Sequence, residues 1–312
     1  MAASGQPKTF SANQIVHGDA AAVLGTWPTG VVDCVVTSPP YWQQRDYRGE
    51  AEQVGREVTP AEYVQRLTAI FGECRRVLKP TGTLWLVIGD KYVDGAQLGL
   101  PWRVALALID DGWVLRADCI WHKPNAMPSS TRSRPTIDHE YVFFFTKSKD
   151  YYYDADAIRE PHVTFSDKSR MRGGRGHFGL RGGTPETGKN GGSNNLHDGR
   201  WDQAFHPLGR NKRTVWSIPL SKFRDAHFAV FPEALVETCL LAGSAEGGLV
   251  LDPFVGSGTV PLVARRLNRD YLGIDCASEY CQMARERLAK KQPVLPGFVG
   301  SRPTQGRRRQ TT

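Results

Sequence analysis

The sequence contains few features of secreted, membrane-spanning or metal-binding proteins. None of its apolar runs approaches the roughly 20 residues that cross a bilayer, so we expect no membrane span. Residues 1–14 lack the apolar core of a secretory signal, and we expect a cytoplasmic protein. The six cysteines are scattered and form no C-x-x-C pair. We therefore expect no metal site, and we interpret the cysteines as reduced packing residues.

The chain has an excess of basic side chains. Its 40 lysines and arginines against 32 acidic residues give a formal charge of +8, which favours a polyanionic partner. Many of these cations lie in the glycine-rich residues 151–213, and others in the polar tail at 307–309. The 312 residues, 40% of them hydrophobic, are enough for one large α/β domain with an insertion, or for two modest domains.

Residues 37–42, TSPPYW, follow a short apolar run at residues 31–36. A run rich in β-branched residues and bounded by turn residues predicts a buried strand. Two consecutive prolines then fix φ twice and remove two backbone donors, so neither strand nor helix continues. This predicts a rigid strand end with unclaimed carbonyls and an aromatic pair beside it. A rigid turn covered by two aromatics is the alternative for this motif alone.

Strands and helices alternate through the first half of the chain. Thr59 and Glu62 have the spacing of a capping box, and Pro60 takes the first helical position. The helix predicted there continues along one apolar face until Pro80 and Gly82. Other helices are predicted at 20–24 and 101–111, and strands at 14–17, 31–36, 83–88, 114–121 and 141–146.

Residues 151–213 show neither a helical nor a strand period. Glycine pairs interrupt a basic, polar stretch there. A structureless segment of this length is unusual inside a compact domain and is commonly functional or disordered, so we expect a functional insertion, with a flexible linker as the alternative. Regular structure is predicted again at 215–218 and in a helix over 233–242.

A second motif, DPFVGSGT at residues 252–259, lies between a strand at 249–251 and a helix. Gly256 and Gly258 let the backbone turn sharply and approach a ligand closely. Asp275 ends the next strand about 20 residues on, where an acid takes ribose hydroxyls. A helix N-cap is the alternative function of Asp275, and the two are compatible.

The two motifs are expected to face each other across one crevice, because an open α/β sheet binds ligands at the carboxyl ends of its strands. The glycine turn lacks the third glycine of a dinucleotide fingerprint. A nucleoside cofactor without a pyrophosphate signature suggests S-adenosylmethionine.

The sequence at this point resembles the bacterial amino-methyltransferases of DNA in their β-class order. The segments that resemble the family's motifs are, in chain order, Gly18-Asp19, TSPPYW, GTLWLVIGD, WHKPNAMPSS followed by HEYVFFFTK, HFAVFPEAL, and DPFVGSGT with GIDCASEY. The resemblance implies the Rossmann-like, mostly parallel sheet of the S-adenosylmethionine-dependent methyltransferases in circularly permuted order. It also implies a catalytic half at 10–150, a target-recognition insertion at 151–213, a cofactor-binding half at 214–292 and a flexible basic tail at 293–312.

The resemblance further implies methyl transfer to the exocyclic amine of a flipped base in double-stranded DNA. The amino hydrogens would bond to the Pro39 carbonyl and the Ser38 hydroxyl, and Tyr41 would stack on the extruded base. The expected catalytic residues are Ser38, Pro39, Pro40 and Tyr41. Cofactor-binding residues are expected at Asp19, Phe231, Pro232, Asp252, Phe254, Gly256, Gly258, Thr259 and Asp275, and DNA-binding residues at Trp42, Lys123, Asn125, Arg170, Arg172 and Arg175.

Several alternatives stay open from the sequence. In this family a serine at the position of Ser38 usually accompanies cytosine. We therefore expect N4-methylcytosine, with N6-methyladenine as the alternative. A nucleic-acid-binding protein with an inactive site is a second alternative, although the intact motifs argue against it. RNA is a third, because Arg-Gly-Gly steps also suit single strands. A cognate restriction endonuclease as partner, and a monomer or a homodimer, are equally compatible with the sequence.

Overall fold

The computed structural model describes residues 10–43, 53–161, 208–220 and 232–290. The strands are β1 (Gln14–His17), β2 (Val32–Thr37), β3 (Leu78–Ile88), β4 (Tyr92–Val93), β5 (Ala96–Gln97), β6 (Val114–His122), β7 (His139–Thr146), β8 (Val215–Ser217), β9 (Leu249–Asp252) and β10 (Asp270–Asp275). The helices are α1 (Ala20–Gly25), α2 (Pro60–Val77), α3 (Leu100–Asp110), α4 (Glu233–Gly243), α5 (Thr259–Arg266) and α6 (Ser278–Ala289), with a 3₁₀ turn at Asp156–Ile158.

The predicted elements are confirmed to within a few residues. The capping box of α2 is present: the Thr59 hydroxyl accepts from the Glu62 amide at 3.2 Å, and the Glu62 carboxylate accepts from the Thr59 amide at 3.0 Å. This helix ends at Val77, before Pro80, because Leu78 already pairs with β2. The β4–β5 hairpin was not predicted from the sequence.

Eight strands form the central sheet in the order β1-β10-β9-β2-β3-β7-β6-β8. The first five are parallel to one another, β7 runs antiparallel to both β3 and β6, and β8 is parallel to β6. The predicted mostly parallel α/β sheet is therefore confirmed. Val35 of β2 pairs with Leu251 of β9, so strands from the two ends of the chain lie side by side at the centre.

The point where the strand order reverses lies between β9 and β2. From β9 the chain passes through α5 to β10 on one side, and from β2 through α2 to β3 on the other. Crevices at such reversals, outside the carboxyl ends of the strands, are where open α/β sheets bind ligands. Both sequence motifs begin there, since β2 ends at Thr37 and β9 at Asp252.

Helices cover both faces of this sheet. Leu84 and Leu86 of β3 pack with residues of α1, α2 and α3, whereas Trp85 and Val87 pack with residues of α4 and α5. This alternation is the period of two that a strand buried on both faces requires. No helix in the described residues is long and apolar enough to cross a membrane.

The regular domain extends further along the chain than the boundary predicted at residue 151. The amide of Tyr152 donates to the Thr81 carbonyl at 3.0 Å, and that of Asp154 to the Ala242 carbonyl at 2.9 Å. An antiparallel bridge between Glu160 and Arg210 then joins the two described ends of the segment. The tyrosine-rich stretch at the start of the predicted insertion therefore packs on the sheet, and the insertion's boundary and its function in target recognition stay predictions.

Candidate active site

The ends of β2 and β9 are joined by a direct side-chain contact. The Thr37 hydroxyl donates to Oδ1 of Asp252 at 2.6 Å, and the Phe254 amide donates to the same oxygen at 3.1 Å. Thr37 and Asp252 are both almost fully buried. The first residue of TSPPYW therefore bonds to the first residue of DPFVGSGT, and the two motifs meet as predicted. Thr37 was not among the predicted site residues.

Asp252 is a buried acid with one unsatisfied oxygen. Within the described chain its Oδ2 has no hydrogen-bond partner. Burial raises the pKa of this carboxyl to about 7, although the hydrogen bonds from Thr37 and Phe254 act in the opposite direction. The carboxyl therefore changes charge near neutral pH.

We expect this carboxyl to give the cofactor-free protein a measurable pH dependence of stability. An acid whose pKa is raised by folding binds more protons in the folded than in the unfolded chain, between about pH 4 and 7. Its contribution to the free energy of unfolding thus falls across that window, by roughly 4 kcal/mol, and is constant above it. Asp252→Asn should remove this fall, so that the variant gains stability relative to wild type from pH 4 to pH 8. Urea unfolding at several pH values measures this difference in stability. The control is Asp94→Asn, at an exposed position in the β4–β5 hairpin. Parallel pH profiles of Asp252→Asn and wild type would contradict the raised pKa of Asp252.

The two glycines of the second motif do different things. Both have left-handed backbone, with φ of 48° at Gly256 and 80° at Gly258. A Cβ added to Gly256 would meet nothing closer than 4.0 Å, so space is open beside it. A Cβ on Gly258 would lie 2.9 Å from that of Ala284, so this glycine lets α5 and α6 approach closely. Of these two glycines, only Gly256 has free space for a ligand.

Asp275 braces the glycine turn. Its carboxylate accepts from the Gly256 amide and from the Ala277 amide, both at 2.9 Å. Ala277 is the N-cap of α6 and makes no side-chain cap, so the alternative of Asp275 as that helix's N-cap is wrong. A carboxylate has about four acceptor positions, and the predicted bond from a ribose hydroxyl to Asp275 stays a prediction.

Asp19 and Thr259, predicted to bind the cofactor, both make structural contacts. Asp19 is the N-cap of α1 and accepts from the Ala22 amide at 2.9 Å. It follows Gly18, whose amide donates to the Asp275 carbonyl, so it lies at the same edge of the sheet. The Thr259 hydroxyl accepts from the Arg287 guanidinium at 3.0 Å. Their binding function stays a prediction.

The two predicted cofactor residues Phe254 and Pro232 lie at the ends of elements. The Phe254 ring packs edge-on against Phe71 of α2, with centroids 6.5 Å apart. Pro232 is the N-cap of α4. Phe231 lies outside the described residues, so its predicted role stays a prediction.

Tyr41 is held from several sides. Its hydroxyl donates to Oε2 of Glu140 at 2.7 Å. Its ring packs on Gly89, where an added Cβ would come within 2.8 Å of Cε2. Burial, and then the negative charge of Glu140, raise the pKa of Tyr41 well above its ordinary value, so the phenol stays a hydrogen-bond donor. Tyr63 donates to the Pro40 carbonyl at 2.9 Å and fixes the double-proline segment.

Ser38 and Pro39 lie beside this ring. Ser38 is half-buried, and its hydrogen bond with the Tyr41 hydroxyl lowers the pKa of that phenol, against the larger opposing effects. Pro39 is buried. The structure thus brings the predicted catalytic residues together. It adds Glu140, which sequence reasoning did not single out; the one available signal was a polar residue at the start of the strand HEYVFFFT.

Of the predicted DNA-binding residues, Trp42 lies within the described part of the chain and the three arginines do not. Trp42 is only 5% exposed and donates through its indole nitrogen to the Glu57 carbonyl at 2.8 Å. That is the position of a packing residue and gives no support to a DNA contact. Arg170, Arg172 and Arg175 lie outside the described residues, so their contact with DNA stays a prediction.

Lys123 and Asn125 bind other parts of the same chain. The Lys123 ammonium donates to Oε1 of Glu140 and lies 4.4 Å from the centroid of Trp121. The Asn125 side chain accepts from the Leu220 amide at 2.8 Å and donates to its carbonyl at 3.2 Å. These contacts give both residues structural functions, and their contact with DNA stays a prediction.

The cysteines are free thiols, five of them buried and Cys276 half-buried. Burial raises the pKa of Cys34 and Cys119 to about 12, so these thiols are protonated at neutral pH. The interpretation of the buried cysteines as packing residues is confirmed.

Two curated type II methyltransferases match nearly the whole chain. M.XycI from Xanthomonas campestris pv. cyanopsidis is 40% identical, over 91% of this chain and 90% of its own length. M.SmaI from Serratia marcescens is 38% identical, over 89% and 91%.

Solved structures with the same fold include two DNA methyltransferases. A putative DNA modification methylase from Thermus thermophilus, complexed with S-adenosyl-L-methionine, superposes with a TM-score of 0.57 at 27% identity, over 91% of this chain and 95% of its own. The PvuII cytosine-N4-specific DNA methyltransferase superposes with a TM-score of 0.63 at 22% identity, over 89% and 87%. The DNA methylase family of N6 and N4 methyltransferases matches residues 32–286. With the two motifs facing each other across the β9–β2 crevice, the chain belongs to this family.

Proposed function

We propose that the protein transfers a methyl group from S-adenosylmethionine to the N4 amine of a flipped cytosine in double-stranded DNA. The observation that carries the proposal is the bond between Thr37 and Asp252, because it sets Ser38 and Pro39 beside the glycine turn. The curated relatives are type II methyltransferases, so we propose that the enzyme protects DNA from a cognate restriction endonuclease.

The residues at the strand ends fit S-adenosylmethionine. Asp275 offers a carboxylate at the end of β10, where a ribose would lie. The open space beside Gly256 admits a ligand to the backbone, and the unpaired Oδ2 of Asp252 suits a donor group. When bound, the cofactor supplies an electrophilic methyl group on a sulfonium.

The target amine is a weak nucleophile because its lone pair is delocalised into the base. Acceptors at the Ser38 hydroxyl and the Pro39 carbonyl would take its hydrogens and draw the nitrogen towards tetrahedral geometry. The bond from Tyr63 to the Pro40 carbonyl fixes the Pro40–Tyr41 peptide, and through the ring of Pro40 it helps to preorganise the preceding Pro39 carbonyl. Stacking on Tyr41 would offset part of the cost of extruding the base.

The identity of Ser38 supports cytosine over adenine. A serine hydroxyl is a weaker acceptor than a carboxylate and offers no general base, and in the family that this chain resembles it accompanies cytosine. The alternative is methylation of adenine N6, which differs in the target base and in the product.

We expect N4-methylcytosine as the product. Purified protein is incubated with unmethylated DNA and cofactor, and the DNA is digested to nucleosides for mass spectrometry, with a cofactor-free reaction as control. Methylation-sensitive sequencing of the same DNA then gives the site. N6-methyladenine in place of N4-methylcytosine would refute the proposed base, and unmodified DNA would refute the activity.

A further inference from the structure

Behind the predicted catalytic motif lies a chain of three side chains. Tyr41 bonds to one oxygen of Glu140 at 2.7 Å, and Lys123 bonds to the other. The Glu140 and Lys123 side chains are only 16% and 15% exposed. The Lys123 ammonium also lies over the Trp121 ring. Both ends of the carboxylate are therefore engaged by groups that are themselves fixed.

Gly89 packs directly against Tyr41 and Glu140 of this cluster. An added Cβ there would lie 2.8 Å from Cε2 of Tyr41 and 3.2 Å from Cγ of Glu140. No side chain fits between the end of β3 and these two residues. The Tyr41 ring is thereby confined by Gly89 on one side and tethered at its hydroxyl by Glu140 on the other.

A lone carboxylate close to a DNA-binding crevice would repel the phosphates and would be costly to desolvate. Lys123 neutralises Glu140 and makes it a fixed acceptor for the tyrosine. The geometry therefore connects Lys123 with the catalytic motif.

We propose that Glu140, held by Lys123, is a positioning residue that fixes the Tyr41 ring in the orientation for stacking on the target base. The inference rests on the proposed function. Because the ring is already oriented in the free protein, little conformational entropy is lost when the base arrives. The benefit is expected in turnover, since the orientation of the base decides how its amine meets the methyl group.

A double-mutant cycle tests the inference. Glu140→Gln and Tyr41→Phe should each lower kcat about tenfold, the size of effect expected when a hydrogen bond to a charged acceptor is lost. Because both changes remove the same charged hydrogen bond, the double variant should be no more than about threefold below the lower single variant. Cofactor affinity, measured by calorimetry, should be unchanged throughout.

Matched controls are available away from the crevice. Tyr271→Phe at the start of β10 and Glu73→Gln in the half-buried pair with Arg76 should leave kcat unchanged. If Glu140→Gln lowers the melting temperature, Lys123→Met is added to it, which removes the unpaired charge of Lys123. The variant with both changes then takes the place of Glu140→Gln in the cycle.

The possible outcomes have distinct meanings. Losses that multiply to about a hundredfold in the double variant, or a Glu140→Gln enzyme with wild-type kcat, would overturn the inference. A wild-type enzyme that methylates no DNA would overturn the proposed function and the inference with it. Non-additive losses in an active enzyme support both.

Discussion

Replacing Asp275 by alanine is expected to weaken S-adenosylmethionine binding by about 10- to 100-fold. A hydrogen bond to a charged acceptor is worth about 1.5–3 kcal/mol, which corresponds to this range. The change would remove the predicted ribose acceptor. It would also remove the acceptor of the Gly256 and Ala277 amides, so the glycine turn would lose its side-chain hydrogen bond to the end of β10. Calorimetric titration with the cofactor measures the loss directly.

Asp270→Ala is the matched control for this variant. Asp270 begins the same strand and accepts from the Asn13 side chain at 2.6 Å, at the opposite edge of the sheet. This variant should bind the cofactor as wild type does. The rise in melting temperature that a saturating ligand produces should likewise be lost in Asp275→Ala and kept in Asp270→Ala. Equal affinity in both variants would remove Asp275 from the cofactor site.

Local sequence patterns were enough to predict where the strands end. The apolar run before TSPPYW, together with the two prolines of that motif, defines the end of β2. The glycines after Asp252 define the end of β9. In a parallel sheet the carboxyl ends lie at one edge, so the meeting of both motifs follows from the chain's alternation of strands and helices. This is why the fold and the crevice could be predicted without coordinates.

Contacts between distant residues could not be predicted in the same way. Glu140 reaches Tyr41 only because β7 runs antiparallel beside β3 in a particular register, with Tyr141 opposite Ile88. A shift of one residue would turn Glu140 to the other face of the sheet. The sequence contains no local feature that fixes this register, so the partner of the Tyr41 hydroxyl became visible only in the structure.

Residue type alone also did not reveal the contacts that the predicted DNA-binding residues make within the chain. Lysine and asparagine often contact nucleic acids, yet Lys123 pairs with Glu140 and Asn125 clamps the backbone at Leu220. A side chain in a loop beside a crevice has both uses available, and residue type does not say which partner within the chain it contacts. The same holds for Thr259, whose hydroxyl bonds to Arg287.

Tyr41→Ala is expected to lower kcat/KM for DNA by about 100-fold while cofactor affinity stays at the wild-type value. Base stacking on an aromatic ring is worth about 1–3 kcal/mol, and the variant loses both this face and the tether to Glu140. Tyr41→Phe retains the face, so its loss should be smaller. The aromatic control is Tyr152→Ala, 36% exposed and next to Thr81 near the amino end of β3, away from the crevice. Initial rates at several DNA concentrations with saturating cofactor separate the variants: a Tyr41→Ala enzyme as fast as Tyr152→Ala would show that the ring does not stack on the target base, and TSPPYW would then act through its backbone alone.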